Sequence, residues 1–190
     1  MQRVKKLLII AMGMLIVVIV IFAYKNWEMW RYKLGYQPVF LNLIDTVESI
    51  DALESGDTFV LKNPSKWIPE MKAGITDFYW VEGSNSLRFG LWYRDWDYKD
   101  DYDYEEIFDI RIRDNQGTDY GPFLFATLPG VGVYETFQIR EFRGIDIHTI
   151  DQLHLDIALK QDPATTHTVE IYHSEVDRFI PFGSGSPPPT

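Results

Sequence analysis

Cysteine is missing from all 190 residues. Its absence excludes disulfide scaffolds, cysteine-ligated zinc, thiol nucleophiles and a lipidated N-terminal cysteine, while leaving the compartment open. Positive charge is scarce beyond the first turns of the chain. Residues 1–33 hold six of the eighteen Lys and Arg (Arg3, Lys5, Lys6, Lys25, Arg31, Lys33) and one acid, Glu28. That leaves 12 basic against 27 acidic residues, a net charge of −15, over 34–190. Nucleic-acid binders show a basic stripe, and a field of this sign repels phosphates, so DNA and RNA are excluded as partners. What the chain does have is aromatic residues (15 %) and many β-branched ones, enough to bury a core.

Leu7 to Tyr24, LLIIAMGMLIVVIVIFAY, is a stretch of eighteen residues without a charge. As a helix it spans about 27 Å, close to the hydrocarbon thickness of a bilayer. Its twelve Leu, Ile, Val and Phe residues favour insertion by about 4–7 kcal/mol. A cleaved signal peptide is the competing reading, because Arg3, Lys5 and Lys6 resemble an n-region. The run is longer than an h-region, however, and Ile21 occupies the −3 position relative to a cut after Ala23. The sequence therefore predicts an uncleaved, single-pass signal-anchor.

Basic residues balance on the two sides of the span. Orientation then rests on the short N-terminus staying inside while the long acidic segment is translocated. Trp27, Trp30, Tyr32 and Tyr36 read as an interfacial aromatic belt. The helix is expected to run to about Leu34 and to stop at Gly35 and Pro38. The expected organisation is a cytoplasmic N-terminus (1–6), a transmembrane helix (7–24), a juxtamembrane segment (25–38), an extracytoplasmic domain (39–182) and a flexible tail (183–190).

Within 39–54, Phe40, Leu43, Ile44, Val47 and Ile50 fall at helical spacing, and a pair of strands is the alternative. After the Glu54–Asp57 turn the pattern becomes β. Strands are expected at 58–62, 75–81, 87–94, 107–113, 123–127, 133–140, 153–159 and 167–176, with turns at 82–85 and 114–117 and a break at Asp162-Pro163. Leu87, Phe89, Leu91 and Tyr93 share one face of their strand. Phe108, Ile110 and Ile112 point inward while Asp109, Arg111 and Arg113 point outward. Many short strands at this spacing indicate a mainly β, two-layer antiparallel sandwich. Its expected core includes Phe89, Leu91, Ile110, Ile112, Phe137, Leu155 and Ile157.

The runs IFDIRIRDNQGTDYGPF, VYETFQIREF and IDQLHLDIAL carry a resemblance. Over roughly residues 87–160 the chain resembles the immunoglobulin-like ectodomains of single-pass envelope proteins of Gram-positive bacteria. In those, a strand ending in Asp-x-x-Gly leads to a strand with an inward Phe, and a Leu-x-Leu strand closes the sandwich. The resemblance implies an immunoglobulin-like β-sandwich outside the membrane and implies no activity. The Cys–Trp–Cys hallmark of antibody-type domains is missing.

Trp92–Glu106, WYRDWDYKDDYDYEE, is the densest chemical feature, with seven carboxylates among six aromatics. Asp95, Asp97, Asp101, Asp103 and Glu105 offer the hard oxygens that suit Ca²⁺, although no known loop spacing or sharp-turn glycine is present. The plain alternative is a solvated loop whose acids resist edge aggregation. Trp92, Trp96, Tyr98, Tyr102 and Tyr104 offer a contact surface for protein or carbohydrate, or else pack in the sandwich.

The acids are too many to nominate a glycosidase pair, and no G-x-S-x-G elbow occurs. His148, His154, His167 and His173 are the only imidazoles; they read as solvent-facing strand residues rather than zinc ligands. The processing site of pilins is missing as well. Two functions follow as expectations. One is a membrane-anchored interaction or sensing domain whose partner is an envelope protein or polysaccharide. The other is an envelope enzyme acting on cell-wall carbohydrate through carboxylates of 95–106.

Overall fold

The computed structural model describes residues 2–35, 58–63, 66–94, 97–98, 107–127, 135–160 and 162–181. Among the described residues one α-helix, α1 (Gln2–Lys33), is followed by twelve strands and one 3-10 turn at Glu82–Ser84. The stretch Val4–Tyr24 is long and apolar enough to cross a membrane, and none of it is buried in the protein. Val4, Ile10, Leu15 and Ile19 are all more than half exposed, so the helix is apolar on every side. A helix of that kind needs an apolar solvent or a wide protein core, and no core surrounds this one. The end falls where the sequence places it: Gly35 adopts φ +73° and donates its N–H to the Tyr32 carbonyl at 3.1 Å.

The strands form two antiparallel sheets. The larger contains β1 (Thr58–Leu61), β2 (Trp67–Ile68), β3 (Ala73–Ile75), β4 (Phe78–Val81), β5 (Ser86–Arg94), β8 (Pro122–Thr127), β9 (Glu135–Arg143) and β12 (Ile180–Pro181). The expected strand over 75–81 is broken. β4 pairs with Ser86–Arg88 and β3 with Leu91–Tyr93 along one edge of β5, and the register slips by one residue at Thr76–Asp77. β2 continues the line of β1 beside β3 in the same way. The other edge of β5 pairs with β9 over its full length, and β8 lies beyond β9.

The smaller sheet has the order β11 (Thr166–His173), β10 (Gln152–Leu159), β6 (Phe108–Asp114), β7 (Asp119–Tyr120). Its alternation is the one expected. Phe108, Ile110 and Ile112 of β6 and Leu153, Leu155 and Ile157 of β10 are buried, with polar residues between them.

The two sheets enclose one apolar cluster. Phe78, Trp80, Phe89 and Leu91 of the larger sheet share it with Phe108, Ile110, Leu155 and Ile157 of the smaller. Phe89 stacks on Phe142 at 5.8 Å, and Tyr93 meets Phe108 edge-on at 5.4 Å. A polar chain also enters this layer: the Gln138 amide donates to the Tyr93 hydroxyl at 3.1 Å, and Arg140 donates to Gln138 at 2.9 Å. Burial pushes the Arg140 guanidinium down to about 10. Each expected core residue is buried, but Phe137 faces the other way. It belongs to a second cluster on the outer face of the larger sheet. Residues 39–54 and the tail 183–190 lie outside the described residues.

Candidate functional site at the helix–sheet joint

The second cluster is where the helix meets the domain. Asn26, Met29 and Tyr32 recur at a spacing of three, so they line one face of α1, and all three are buried. Met29 and Tyr32 pack with Val60, Tyr79, Val81, Phe137 and Ile139, and Tyr32 stacks on Phe137 at 5.4 Å between ring centres. Two glycines make room for the rings involved. A Cβ on Gly90 would stand 2.3 Å from the Phe137 ring, and one on Gly74 would stand 2.1 Å from the Trp92 ring.

Charge closes the joint at the helix end. Lys33 bonds Glu135 at 2.5 Å and lies 3.6 Å above the centre of the Trp92 ring. Burial holds the Lys33 ammonium below the usual lysine range, outweighing the attraction of Glu135. The Lys33 carbonyl, one of the orphan acceptors of a helix C-terminus, receives the Lys66 ammonium at 3.2 Å. Lys66 in turn lies 3.5 Å from Asp77, a carboxylate with no exposed surface. Asp77 also accepts from Lys62 and from the Asn63 N–H, both at 2.9 Å. A buried carboxylate is tolerable only when paired and bonded in this way. It lies against the helix terminus: a Cβ on Gly35 would come within 2.7 Å of its Oδ2.

No protein-family model, curated protein or solved structure matches this chain. The site therefore has to be read from its own geometry.

The structure assigns different roles to the aromatics expected on a contact surface. Trp92 is half-buried beneath Lys33 and beside Trp67, with ring centres 5.2 Å apart, so it belongs to the joint. Tyr98 is a packing residue. Its ring meets Tyr93 and Phe108 edge-on, and its hydroxyl donates to the Met71 carbonyl. Trp96, Tyr102 and Tyr104 lie outside the described residues. Of the carboxylates expected to offer oxygens to Ca²⁺, Asp97 is described, 3.5 Å from Lys72. Asp95, Asp101, Asp103 and Glu105 lie outside the described residues, and with them the acids a carbohydrate-cleaving pair would need.

The four histidines do not converge. His148 and His167 stand 3.8 Å from Glu82 and Glu70, and His173 accepts the Glu175 N–H. Among the described residues no group of three His, Asp or Glu side chains comes together as a metal site would require. Trp27 and Trp30 are exposed, as in an interfacial belt; Tyr32 is not, because its ring is buried against Phe137.

Met29, Lys33, Lys66, Asp77 and Glu135 were not anticipated. One signal for them was present: β4 reads Phe-Tyr-Trp-Val, apolar without alternation, which is how a strand buried on both faces reads.

Proposed function

We propose that this chain is a membrane-anchored extracytoplasmic interaction or sensing domain of the bacterial envelope, its N-terminus cytoplasmic, whose orientation on its anchor is fixed. The immunoglobulin-like resemblance is part of this reading at the level of two antiparallel layers. The observation that carries the reading is the joint. A domain that only needed tethering could hang from an exposed linker. Here the helix that leaves the membrane is packed, stacked and ion-paired into the larger sheet. Such a joint lets a force or a bound partner on the domain turn the helix, and holds the domain at one attitude to the bilayer.

The chain has no cysteine, so two introduced thiols carry unique spin labels. Trp27→Cys sits on an exposed helix position, and Gly83→Cys on a turn with open space around it. Full-length protein in lipid nanodiscs should give one narrow interspin distance, broadened by Met29→Ala together with Tyr32→Ala. A wild-type distribution as broad as that of the double variant refutes a fixed joint. Protease added outside intact cells should remove the domain, and its protection there refutes the orientation.

A further inference from the structure

The packing of α1 on the larger sheet has a direction. Lys33 bonds Glu135, the first residue of β9, and Tyr32 stacks on Phe137. Met29, three residues earlier, shares its cluster with Ile139 and Val81. Ile139 pairs with Gly90 in the middle of β5, while Val81 and Arg143 both pair with Ser86 at its start. Followed backward, α1 therefore runs along the sheet from the Glu135 end toward the Arg143 end. Its apolar stretch stops at Tyr24, with none of it buried, yet Asn26 is only 5 % exposed. Two residues of helix span about 3 Å, less than a headgroup layer of about 5–8 Å. No linker separates the apolar stretch from the joint. Trp27, exposed at the same level, has the amphipathic ring of an interfacial residue.

Four described turns meet at the Arg143 end: 82–85 after β4, 115–118 after β6, 144–151 after β9 and 174–177 after β11. They are bonded to one another. Ile145 donates its N–H to the Asn85 carbonyl at 3.0 Å, and Ser174 donates its own to the Asp151 carbonyl at 2.8 Å. The Asn115 amide reaches the Asp151 carboxylate at 3.4 Å. The opposite end of the sandwich is marked by Phe108, which meets Tyr93, and β6 carries the chain from there to Asp114 over about 20 Å. Glu82, Asp151 and Glu175 are exposed at the turn end. Its arginines are already engaged, Arg143 with Glu141 at 2.8 Å and Arg178 with the carbonyls of Ser174 and Asp177 at 2.6 and 2.9 Å.

We propose that this turn end is a lipid-facing surface, seated on the headgroup layer of the bilayer that α1 crosses. The sheet end that bears Glu135, Phe108 and Thr166 then points away from the membrane. The surface carries exposed carboxylates, so the layer that fits it is zwitterionic, with ammonium groups outermost. An anionic layer repels it and tilts the helix and domain together, since the joint lets neither turn alone. This deepens the fixed-joint reading above and rests on it, and on α1 being the anchor.

The test uses full-length protein in nanodiscs doped with a nickel-chelating lipid, whose metal relaxes nearby spin labels. Single labels go on Gly83→Cys and Gln116→Cys, one turn from each sheet, and on Ala164→Cys, an exposed position at the opposite end. In phosphatidylethanolamine–phosphatidylcholine discs the first two should be relaxed several-fold more than the third. Equal relaxation at all three, or the strongest at Ala164→Cys, overturns the proposal. Replacing those lipids by phosphatidylglycerol at low ionic strength, where screening is weak, should lower the effect at Gly83→Cys at least twofold. Glu82→Gln with Glu175→Gln should remove most of that drop. No drop, or one that the double variant leaves intact, overturns the headgroup preference. The interspin distance between Trp27→Cys and Gly83→Cys keeps the two readings apart. A broad distance breaks the joint itself, whereas a narrow one with Ala164→Cys nearest the lipid breaks only the assignment of the lipid-facing end.

Discussion

The two sheets differ in how many of their faces are covered. The smaller one has a dry face and a wet one. Along β6 and β10 buried residues alternate with Asp109, Arg111, Arg113 and Asp156. Those charges pair across the open face, Arg113 with Asp156 at 2.5 Å and Arg111 with Asp109 at 3.1 Å. The larger sheet is covered twice. Its inner face meets the smaller sheet, and its outer face meets the end of α1. Hence β4 is buried at all four positions and β5 at its first six. A doubly covered sheet is usual where helices lie on it, and here the covering helix is the one whose apolar stretch is long enough to cross a membrane. Docking of that helix and domain stability are thus coupled in one layer and separate in the other.

The sharpest test of that division is to damage each interface in turn. Phe89 sits between the sheets with no exposed surface, and Phe89→Ala should cost about 3–5 kcal/mol. Urea unfolding of the full-length protein in detergent should show the loss whether or not the helix is docked. Met29→Ala, at the helix face, should cost about 2–5 kcal/mol, toward the lower end because undocking relieves the cavity. It should also broaden the interspin distance, which Phe89→Ala should leave narrow while the protein stays folded. Equal broadening by both variants would show that the two clusters are one cooperative unit.

These expectations also mark what was legible in the sequence. The inward residues of β5, β6 and β10 could be read directly, because alternation with charged neighbours fixes which face is dry. Phe137 could be read as buried but not as buried against a helix, since burial has no direction in a one-dimensional pattern. The break at Thr76–Asp77 was hidden because a register slip leaves both flanking apolar runs intact. The joint was hidden for a chemical reason. Lys33 and Tyr32 follow an apolar span, where cations and aromatics are expected at the lipid interface, and that prior outweighed the i, i+3 stripe of Asn26, Met29 and Tyr32.

Charge at the joint allows a finer test. Glu135→Gln keeps an amide oxygen but removes the negative charge that Lys33 reaches at 2.5 Å, and should cost about 1.5–3 kcal/mol, the range for hydrogen bonds to charged groups. The pH dependence has a definite sign. Burial lowers the Lys33 pKa from 10.5 in spite of Glu135, so in the window just below 10.5 the unfolded chain holds more of that proton than the folded one. Stability contributed through Lys33 therefore rises with pH across that window. Buried Tyr79, whose phenol is pushed upward by burial, acts in the opposite sense above pH 10, because only the unfolded chain ionises. Subtracting the alkaline profile of Lys33→Met from that of wild type isolates the lysine. A difference that falls with pH would mean that Glu135, rather than burial, dominates at the joint.

The smallest effect belongs to the sheet that the helix never touches. Asp114 closes the turn after β6, and its Oδ1 accepts the N–H groups of Gln116 and Thr118 at 2.9 and 2.8 Å. Its Oδ2 accepts the Tyr120 hydroxyl at 3.0 Å, and Gly117 completes the turn with φ +85°. Burial works to raise the Asp114 pKa, but the bonds from Thr118, Tyr120 and Gln116 outweigh it and hold the carboxyl below its usual value of 3.8. A carboxylate with a depressed folded pKa contributes its full stability above the unfolded value and loses it as pH falls through the folded one. The turn should therefore loosen only below about pH 4. Asp114→Asn keeps an oxygen for the two N–H groups but gives up the charge, so it should cost about 1 kcal/mol at neutral pH. The variant should also lose its share of the acid dependence, so the two unfolding curves converge as the pH drops. Because the turn lies in the singly covered sheet, the interspin distance at the joint should stay unchanged throughout. A gap between the curves that widens in acid would mean that the carboxyl is not held ionised by those three donors.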